Sequence, residues 1–217
     1  MNTVWEQWVL KGGVMMGPLL LCSFLGLTII IYKAIVFWRE RADVDALISR
    51  VEQKIRANQR GEALAACEEF GGPAARMMAT IITSGAATRE VAREAVEECV
   101  AVEIDRLESY LRGLNTLAYI APLLGFLGTV WGMIVAFNDV ATANEVTPRI
   151  VASGISQALI TTATGLIIAV PFYAAYNYFV GRVDSFALEM GKAATRLLQV
   201  LYPEEAKRVE VSQQTEA

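Results

Sequence analysis

Hydroxyl and amide side chains recur through a long stretch of the chain that carries no charge. Residues 150–181 contain no Asp, Glu, Lys or Arg. The polar side chains of interest among its apolar residues are Ser153, Gln157, Thr161, Thr162 and Thr164. A hydroxyl in a membrane helix often bonds a carbonyl of the preceding turn, but several in one helix favour a surface that faces other helices or a polar passage. Such groups can solvate a passing proton or ion, although they cannot ionise to carry it.

A second charge-free stretch, residues 113–138, has one hydroxyl near its middle, Thr129. A stripe of small residues runs beside it, within about 80° on a helix of 3.6 residues per turn. The members of this stripe are Ala121, Gly125, Gly128, Gly132 and Ala136. A second small face in residues 150–181 comprises Gly154, Ala158, Thr161, Thr162, Gly165 and Ala169. Small residues let helix backbones approach closely in lipid, so we predict that these faces pack against other helices.

Neither of these stretches contains an ionisable Asp, Glu, Lys, Arg or His side chain. Proton relays in membranes normally need one at membrane depth, so either the chain moves no protons or a partner helix supplies the acid. The chain has no histidine, and its three cysteines form no CxxC pair. We therefore expect neither a metal nor another cofactor. No nucleotide-binding loop is present either, and we predict a protein that is not an enzyme.

Membrane spans account for this pattern. The chain is 54% hydrophobic and 19% charged, and charge is absent from residues 12–32, 113–138 and 150–181. Each stretch reaches the roughly 20 residues that a spanning helix needs. The predicted fold is an all-α membrane protein with three transmembrane helices, two of them long and extending into a helical cytoplasmic domain. The predicted segments are residues 1–11 (interfacial), 12–38 (first span), 39–112 (cytoplasmic), 113–138 (second span), 139–149 (short loop), 150–181 (third span), 182–203 (helix extension) and 204–217 (disordered tail).

Basic residues predict the orientation. Of the 19 lysines and arginines, 12 lie in residues 33–112 and five in residues 182–217. The positive-inside rule places both segments in the cytoplasm. We therefore expect a multi-pass membrane protein, with the N-terminus and the loop 139–149 outside and the C-terminus in the cytoplasm.

Breaks in the cytoplasmic segment divide it into helices. We expect the first to end near residues 59–61, the second at residues 71–73 and the third near Gly85. From an N-cap at Thr88, one long helix is predicted to run into the second span. We read the acidic residues of this helix as a solvated face, among them Glu94, Glu97, Glu98, Glu103, Asp105 and Glu108.

Two segments of the spans resemble the MotA/TolQ/ExbB proton-channel family, and ExbB and TolQ in particular. They are GFLGTVWGMIVAF (residues 125–137) and GISQALITTATGLIIAVPFYAAYN (residues 154–177). The resemblance implies a homopentamer in the bacterial inner membrane, whose outer side faces the periplasm. The pentamer would surround a channel that holds the helices of a single-span ExbD/TolR-like partner with a membrane aspartate. The resemblance further implies that proton flow through this ring powers outer-membrane work through a TonB/TolA-like protein. Thr129 and Thr162 fall where the family has its pore-lining threonines, and Thr161, Thr164, Gln157 and Ser153 are secondary candidates.

Gln157 departs from the family pattern, because ExbB and TolQ commonly have a glutamate at this position. An amide can bind water or a carboxylic acid but cannot ionise. Gln157 also lies about 140° around the helix from Thr162, so a straight helix does not point both at one axis. Either the pore helices use two surfaces, or one of these residues faces a neighbouring helix.

Two other functions fit part of the pattern. A flagellar or gliding stator of the same superfamily would be expected to have a larger, more charged cytoplasmic domain. A non-conducting membrane scaffold, in which hydroxyls only join helices, would need no acid-bearing partner. A threonine-lined pore is compatible with protons or sodium ions.

Overall fold

The computed structural model describes residues 11–39, 44–86, 88–143 and 147–203. These residues are almost entirely helical and contain no strand. After a 3₁₀ turn at Gly13–Met15 come α1 (Met16–Arg39), α2 (Val44–Arg56), α3 (Arg60–Phe70), α4 (Gly72–Ser84), α5 (Arg89–Glu108), α6 (Leu111–Ala143) and α7 (Pro148–Leu201). Apart from Lys11, the predicted interfacial segment 1–11 and the predicted tail 204–217 lie outside the described residues.

Three helical stretches are long and apolar enough to cross a membrane. They are Gly13–Trp38, Arg89–Thr142 and Pro148–Leu201, and the last two have 54 residues each. The predicted fold class is therefore confirmed. Large apolar side chains on these stretches are exposed, for example Phe24 (69%), Phe126 (67%) and Val170 (68%). Such surfaces fit lipid or neighbouring helices far better than water.

The helix predicted to run unbroken from Thr88 into the second span is in fact two helices. Thr88 caps α5 as predicted, since its hydroxyl accepts a hydrogen bond from the N–H of Val91. The path is then interrupted at Ser109–Tyr110, where Tyr110 has a left-handed φ of 66°. Leu107 and Leu111 are both buried but belong to different compact units. On one unbroken helix, Leu107 and Leu111 would lie on the same face because they are four residues apart. The break allows each leucine to be buried in its own unit.

The chain divides into two compact units, which are described separately. The first comprises residues 1–33 and 110–179, and the second residues 34–109 and 180–217. Helix α7 contributes its first part to one unit and its last part to the other.

The part of α1 in the first unit packs at Gly26 and contains a buried basic residue, Lys33. The ring of Phe172 lies so close to Gly26 that a methyl group there would overlap it. Lys33 is only 2% exposed, and its Nζ lies 6.0 Å from the ring centroid of Tyr110. The same ring makes an edge contact with Tyr32 at 5.6 Å. These contacts surround the left-handed residue that begins the second span.

The second unit has a continuous hydrophobic core. Buried side chains come from α2, α3, α4, α5 and the end of α7, where Met190, Ala193 and Leu197 are fully buried. The predicted breaks at residues 71–73 and near Gly85 are confirmed, and both Gly71 and Gly85 have positive φ. The hydroxyl of Tyr202 donates to the carbonyl of Ala86 at 2.7 Å and ties the end of α7 to the residues after α4.

The cysteine of this core is protected from reaction. Cys67 is 2% exposed. Burial, with a smaller contribution from the carboxylate of Glu68, raises the pKa of its thiol to about 11. The thiolate is the reactive form, so Cys67 is a packing residue near neutral pH.

Glu103 does not belong to the solvated acidic face on which the sequence analysis placed it. It is 7% exposed, and its two carboxylate oxygens accept hydrogen bonds from Nε and Nη2 of Arg76 at 2.8 and 2.7 Å. Arg76 lies on α4 and Glu103 on α5, so this two-bond ion pair joins the two helices. The partner comes from 27 residues away, and helix periodicity alone therefore did not reveal it.

Glu103→Ala is expected to destabilise the second unit strongly. Breaking a buried ion pair by removing one partner costs about 3–5 kcal/mol, and the partial exposure of Arg76 reduces this to about 2–3 kcal/mol. Thermal unfolding of the full chain in detergent measures the loss. Glu97→Ala is the matched control, because the Arg93–Glu97 pair is largely exposed and contributes about 0.5 kcal/mol or less. Equal melting temperatures for the two variants would contradict this assignment.

Candidate functional site

The two small faces meet each other between α6 and α7. A methyl group added to Gly125 would lie 3.0 Å from the carbonyl oxygen of Thr161, and one added to Gly132 would lie 3.0 Å from that of Gly154. One added to Gly165 would lie 2.6 Å from the carbonyl oxygen of Ala121. Residue numbers rise along α6 as they fall along α7, so the helices are antiparallel. Backbones this close leave no room for side chains at these positions.

Thr129 and Thr162 lie at neighbouring levels of this helix pair. The hydroxyl of Thr162 donates across the interface to the carbonyl oxygen of Gly125 at 3.1 Å. Thr129 follows Gly125 by one turn of α6, and its hydroxyl donates to the carbonyl oxygen of Phe126 at 2.7 Å. Both threonines are only partly buried. Their lone pairs remain available to water or to a polar group at the edge of the packed faces.

Thr161 occupies the centre of the interface instead. Its side chain is completely buried, and its hydroxyl donates to the carbonyl oxygen of Ala158 at 2.9 Å. A methyl group at Gly128 would overlap this hydroxyl. In this structure Thr161 fills the gap that Gly128 leaves in α6.

The remaining candidates lie on a different side of α7 from Thr162. The hydroxyl of Thr164 donates to the carbonyl oxygen of Ile160 at 2.8 Å, and Ser153 is exposed. The side-chain amide of Gln157 packs against Gly13, which has a φ of 65°. Of the two arrangements that the sequence left open, the structure has Gln157 beside the start of the first span and Thr162 beside α6.

One polar group near this site gave no signal in the sequence analysis. The Oδ1 atom of Asn115 is buried and makes no hydrogen bond to any group in the described part of the chain. Asn115 lies on α6 inside the charge-free stretch, one turn before Tyr119. Its position in a charge-free window could have marked it as a candidate.

The fold and this site together define a class of protein. The chain is a multi-pass, all-helical membrane protein whose last two spans pack through small residues. Partly exposed hydroxyls lie beside that contact, and residues 113–138 and 150–181 contain no Asp, Glu, Lys, Arg or His. Bulky residues of α7 such as Leu159 (65% exposed) lie off the small face.

Comparison with known proteins identifies the family. The profile of the MotA/TolQ/ExbB proton channel family matches residues 71–192. The Tol-Pal system protein TolQ of Haemophilus influenzae is 38% identical over 100 residues, which cover 46% of this chain and 44% of that protein. TolQ of Pseudomonas aeruginosa is 38% identical over 110 residues, which cover 48% of each chain. The putative biopolymer transport protein ExbB-like 1 of Synechocystis is 32% identical over 206 residues, covering 90% of this chain and 78% of that protein.

This chain belongs to the MotA/TolQ/ExbB proton channel family. Members named TolQ and ExbB are among its relatives, which agrees with the resemblance of residues 125–137 and 154–177. The matched regions span about half the length of the two TolQ proteins.

Proposed function

We propose that this chain is the ring-forming subunit of an ExbB/TolQ-like motor in the inner membrane, driven by the proton-motive force. In this proposal, copies of the chain surround the helices of a single-span ExbD/TolR-like partner. The assembly energises outer-membrane transport through a TonB/TolA-like protein. The observation that carries the proposal is the position of Thr129 and Thr162, which are partly exposed beside the contact of two spans that contain no Asp, Glu, Lys, Arg or His.

The chemistry of these residues fits a route for a proton carried by another group. Hydroxyls can hydrogen-bond a protonated or ionised carboxyl group without binding the proton themselves. One elementary charge that crosses the membrane releases about 2.3 kcal/mol per 100 mV. A ring of fixed acids would hold protons and cations more tightly. The partner's aspartate therefore supplies the ionisable group, and this chain supplies its polar surroundings.

The exposed apolar surface of the spans is consistent with the proposed ring. Leu123, Phe126 and Leu127 of α6 are 65%, 67% and 48% exposed, and lie on the side of the helix away from its small face. In a membrane such a face can contact lipid or another copy. The close contact between α6 and α7 makes them a rigid helix pair in each subunit, and a partner helix can move against this pair.

Proton uptake into membrane vesicles tests the proposal. The full chain is co-expressed with a single-span ExbD/TolR-like protein from the same genome, and a pH-sensitive dye reports uptake. We expect uncoupler-sensitive uptake only when both proteins are present, and its loss when the partner's membrane aspartate is replaced by asparagine. A membrane scaffold would give no uptake with or without the partner, and this result would refute the proposal.

A further inference from the structure

Three tyrosines gather in the first unit at a distance from the threonine pair. The ring centroids of Tyr119 on α6 and Tyr173 on α7 lie 6.1 Å apart at 72°. Tyr176, one turn further along α7, has its ring centroid 6.5 Å from that of Tyr173. Tyr119 and Tyr173 are 58% and 46% exposed, so their hydroxyls are on an open edge of the helix pair.

This tyrosine cluster (Tyr119, Tyr173 and Tyr176) lies on the same edge as Thr129 and Thr162. At 100° per residue, Tyr173 and Tyr176 fall about 20° and 40° from Thr162 around α7, while Tyr119 falls about 80° from Thr129 around α6. The rise of 1.5 Å per residue places Tyr119 and Tyr173 about 15 Å, and Tyr176 about 20 Å, from the two threonines along the helix axes. The direction is towards the end of the spans that the basic residues assign to the cytoplasm.

Two carbonyl oxygens near this cluster, the main-chain oxygen of Ala118 and Oδ1 of Asn115, each lack an expected hydrogen-bond donor. Pro122 has no N–H, so it cannot donate to the carbonyl of Ala118 within α6. Pro122 lies about 20° from Thr129 around the helix, on the same edge. The buried Oδ1 of Asn115 has no partner among the described groups, and Asn115 lies about 40° from Thr129. Buried polar atoms without a protein partner usually bind water.

We propose that the tyrosine cluster, with Asn115 and the carbonyl of Ala118, forms a second polar station of the proton path. It holds the water chain that connects the level of Thr129 and Thr162 with the cytoplasm. Phenol hydroxyls both donate and accept, so they can bridge water to the two oxygen acceptors. This inference rests on the proposed function and adds residues to its path.

A tyrosine near the end of a span can instead anchor the helix in the lipid headgroup zone. The position of Tyr119 argues against that role, because it lies six residues, or about 9 Å, inside the span that begins at Gly113. Anchoring would also leave Oδ1 of Asn115 without a donor. Tyr178 suits the anchoring role better, since it is 57% exposed and lies about 160° from Thr162 on the opposite face.

The test replaces the three hydroxyls and keeps the rings. The variant Tyr119→Phe with Tyr173→Phe and Tyr176→Phe is expressed with the ExbD/TolR-like partner, and proton uptake is measured in vesicles as above. We expect uptake to fall about tenfold, the size that the loss of one or two hydrogen bonds to the water chain would give. Tyr178→Phe is the matched control and should conduct like the unmodified chain. Gel filtration in detergent checks assembly, and the three single variants replace the triple variant if it does not assemble.

Each outcome decides one of the two proposals. Unchanged uptake in the triple variant, or in all three single variants where these replace it, overturns the second station and leaves the proposed function intact. Equal losses in the cluster variants and in Tyr178→Phe indicate anchoring in the membrane and also overturn it. Absence of uptake in the unmodified complex refutes the proposed function itself.

Discussion

Proton-driven work is expected to disappear when Thr129 and Thr162 are both replaced by valine, although the protein still folds and assembles. Valine has almost the shape of threonine but neither donates nor accepts a hydrogen bond. Each hydroxyl left out of a desolvated proton path costs about 1–3 kcal/mol, so the loss of two should lower uptake by at least about thirtyfold. The loss of the bond from Thr162 to the carbonyl of Gly125 costs about 1 kcal/mol of stability, too little to unfold the chain. Vesicle proton uptake and gel filtration measure the two effects.

Two control variants separate the hydroxyls from the packing. Thr129→Ser with Thr162→Ser keeps both hydroxyls and should retain most of the uptake. Thr28→Val removes an exposed hydroxyl of α1 that donates to the carbonyl of Phe24 in its own helix, and this variant should conduct normally. Full uptake in the double valine variant would count decisively against a path along Thr129 and Thr162.

The spans could be predicted from the sequence because their signal is local. Charge-free stretches mark them, and a repeat of small residues marks the faces that meet. Gly125, Gly128 and Gly132 on one helix and Gly154 and Gly165 on the other lie in the contact that their spacing predicts. The caps of the soluble helices are equally local, as Thr88, Gly71 and Gly85 show.

The break at Ser109–Tyr110 could not be predicted in the same way. Neither residue is a glycine or proline, and a tyrosine with positive φ is rare. The conformation is held by contacts from elsewhere in the chain, since Tyr110 packs against Tyr32 and Lys33 at the end of α1. The pattern of residue types along the sequence does not reveal these contacts, because the residues involved are far apart in the chain. The pairing of Glu103 with Arg76 escaped prediction for the same reason.

The candidate site was predicted in composition but not in arrangement. The sequence shows that Gln157 and Thr162 point in different directions, yet it does not show what each one meets. The structure places Gln157 against Gly13 and Thr162 against Gly125. The tyrosine cluster needs two helices in register, with Tyr119 opposite Tyr173, and that register follows from the antiparallel packing of the small faces. Its detection therefore required the structure.

Gly165→Val is expected to separate α6 from α7 and to abolish stable assembly. The first carbon of the new side chain would lie 2.6 Å from the carbonyl oxygen of Ala121 and 3.1 Å from the Cα of Gly125. These are backbone atoms, which cannot move aside as a side-chain end can. Overpacking in a well-packed interior costs about 1–3 kcal/mol. We expect a destabilisation at or above the upper end of this range, because the two helix backbones in contact cannot easily move apart. Thermal unfolding in detergent should show a much lower melting temperature.

Gly17→Ala provides the comparison within the same unit, because no atom lies within 4 Å of the position that its methyl group would take. Alanine is preferred over glycine in a helix by about 0.5–1 kcal/mol, so this variant should melt at the same temperature as the unmodified chain or higher. Gly165→Val should also lose proton uptake, since it moves Gly125 away from the hydroxyl of Thr162. A Gly165→Val protein with a normal melting temperature and normal proton uptake would show that the small faces are not in contact. The assignment of Thr129 and Thr162 to one proton path, which depends on that contact, would then fail as well.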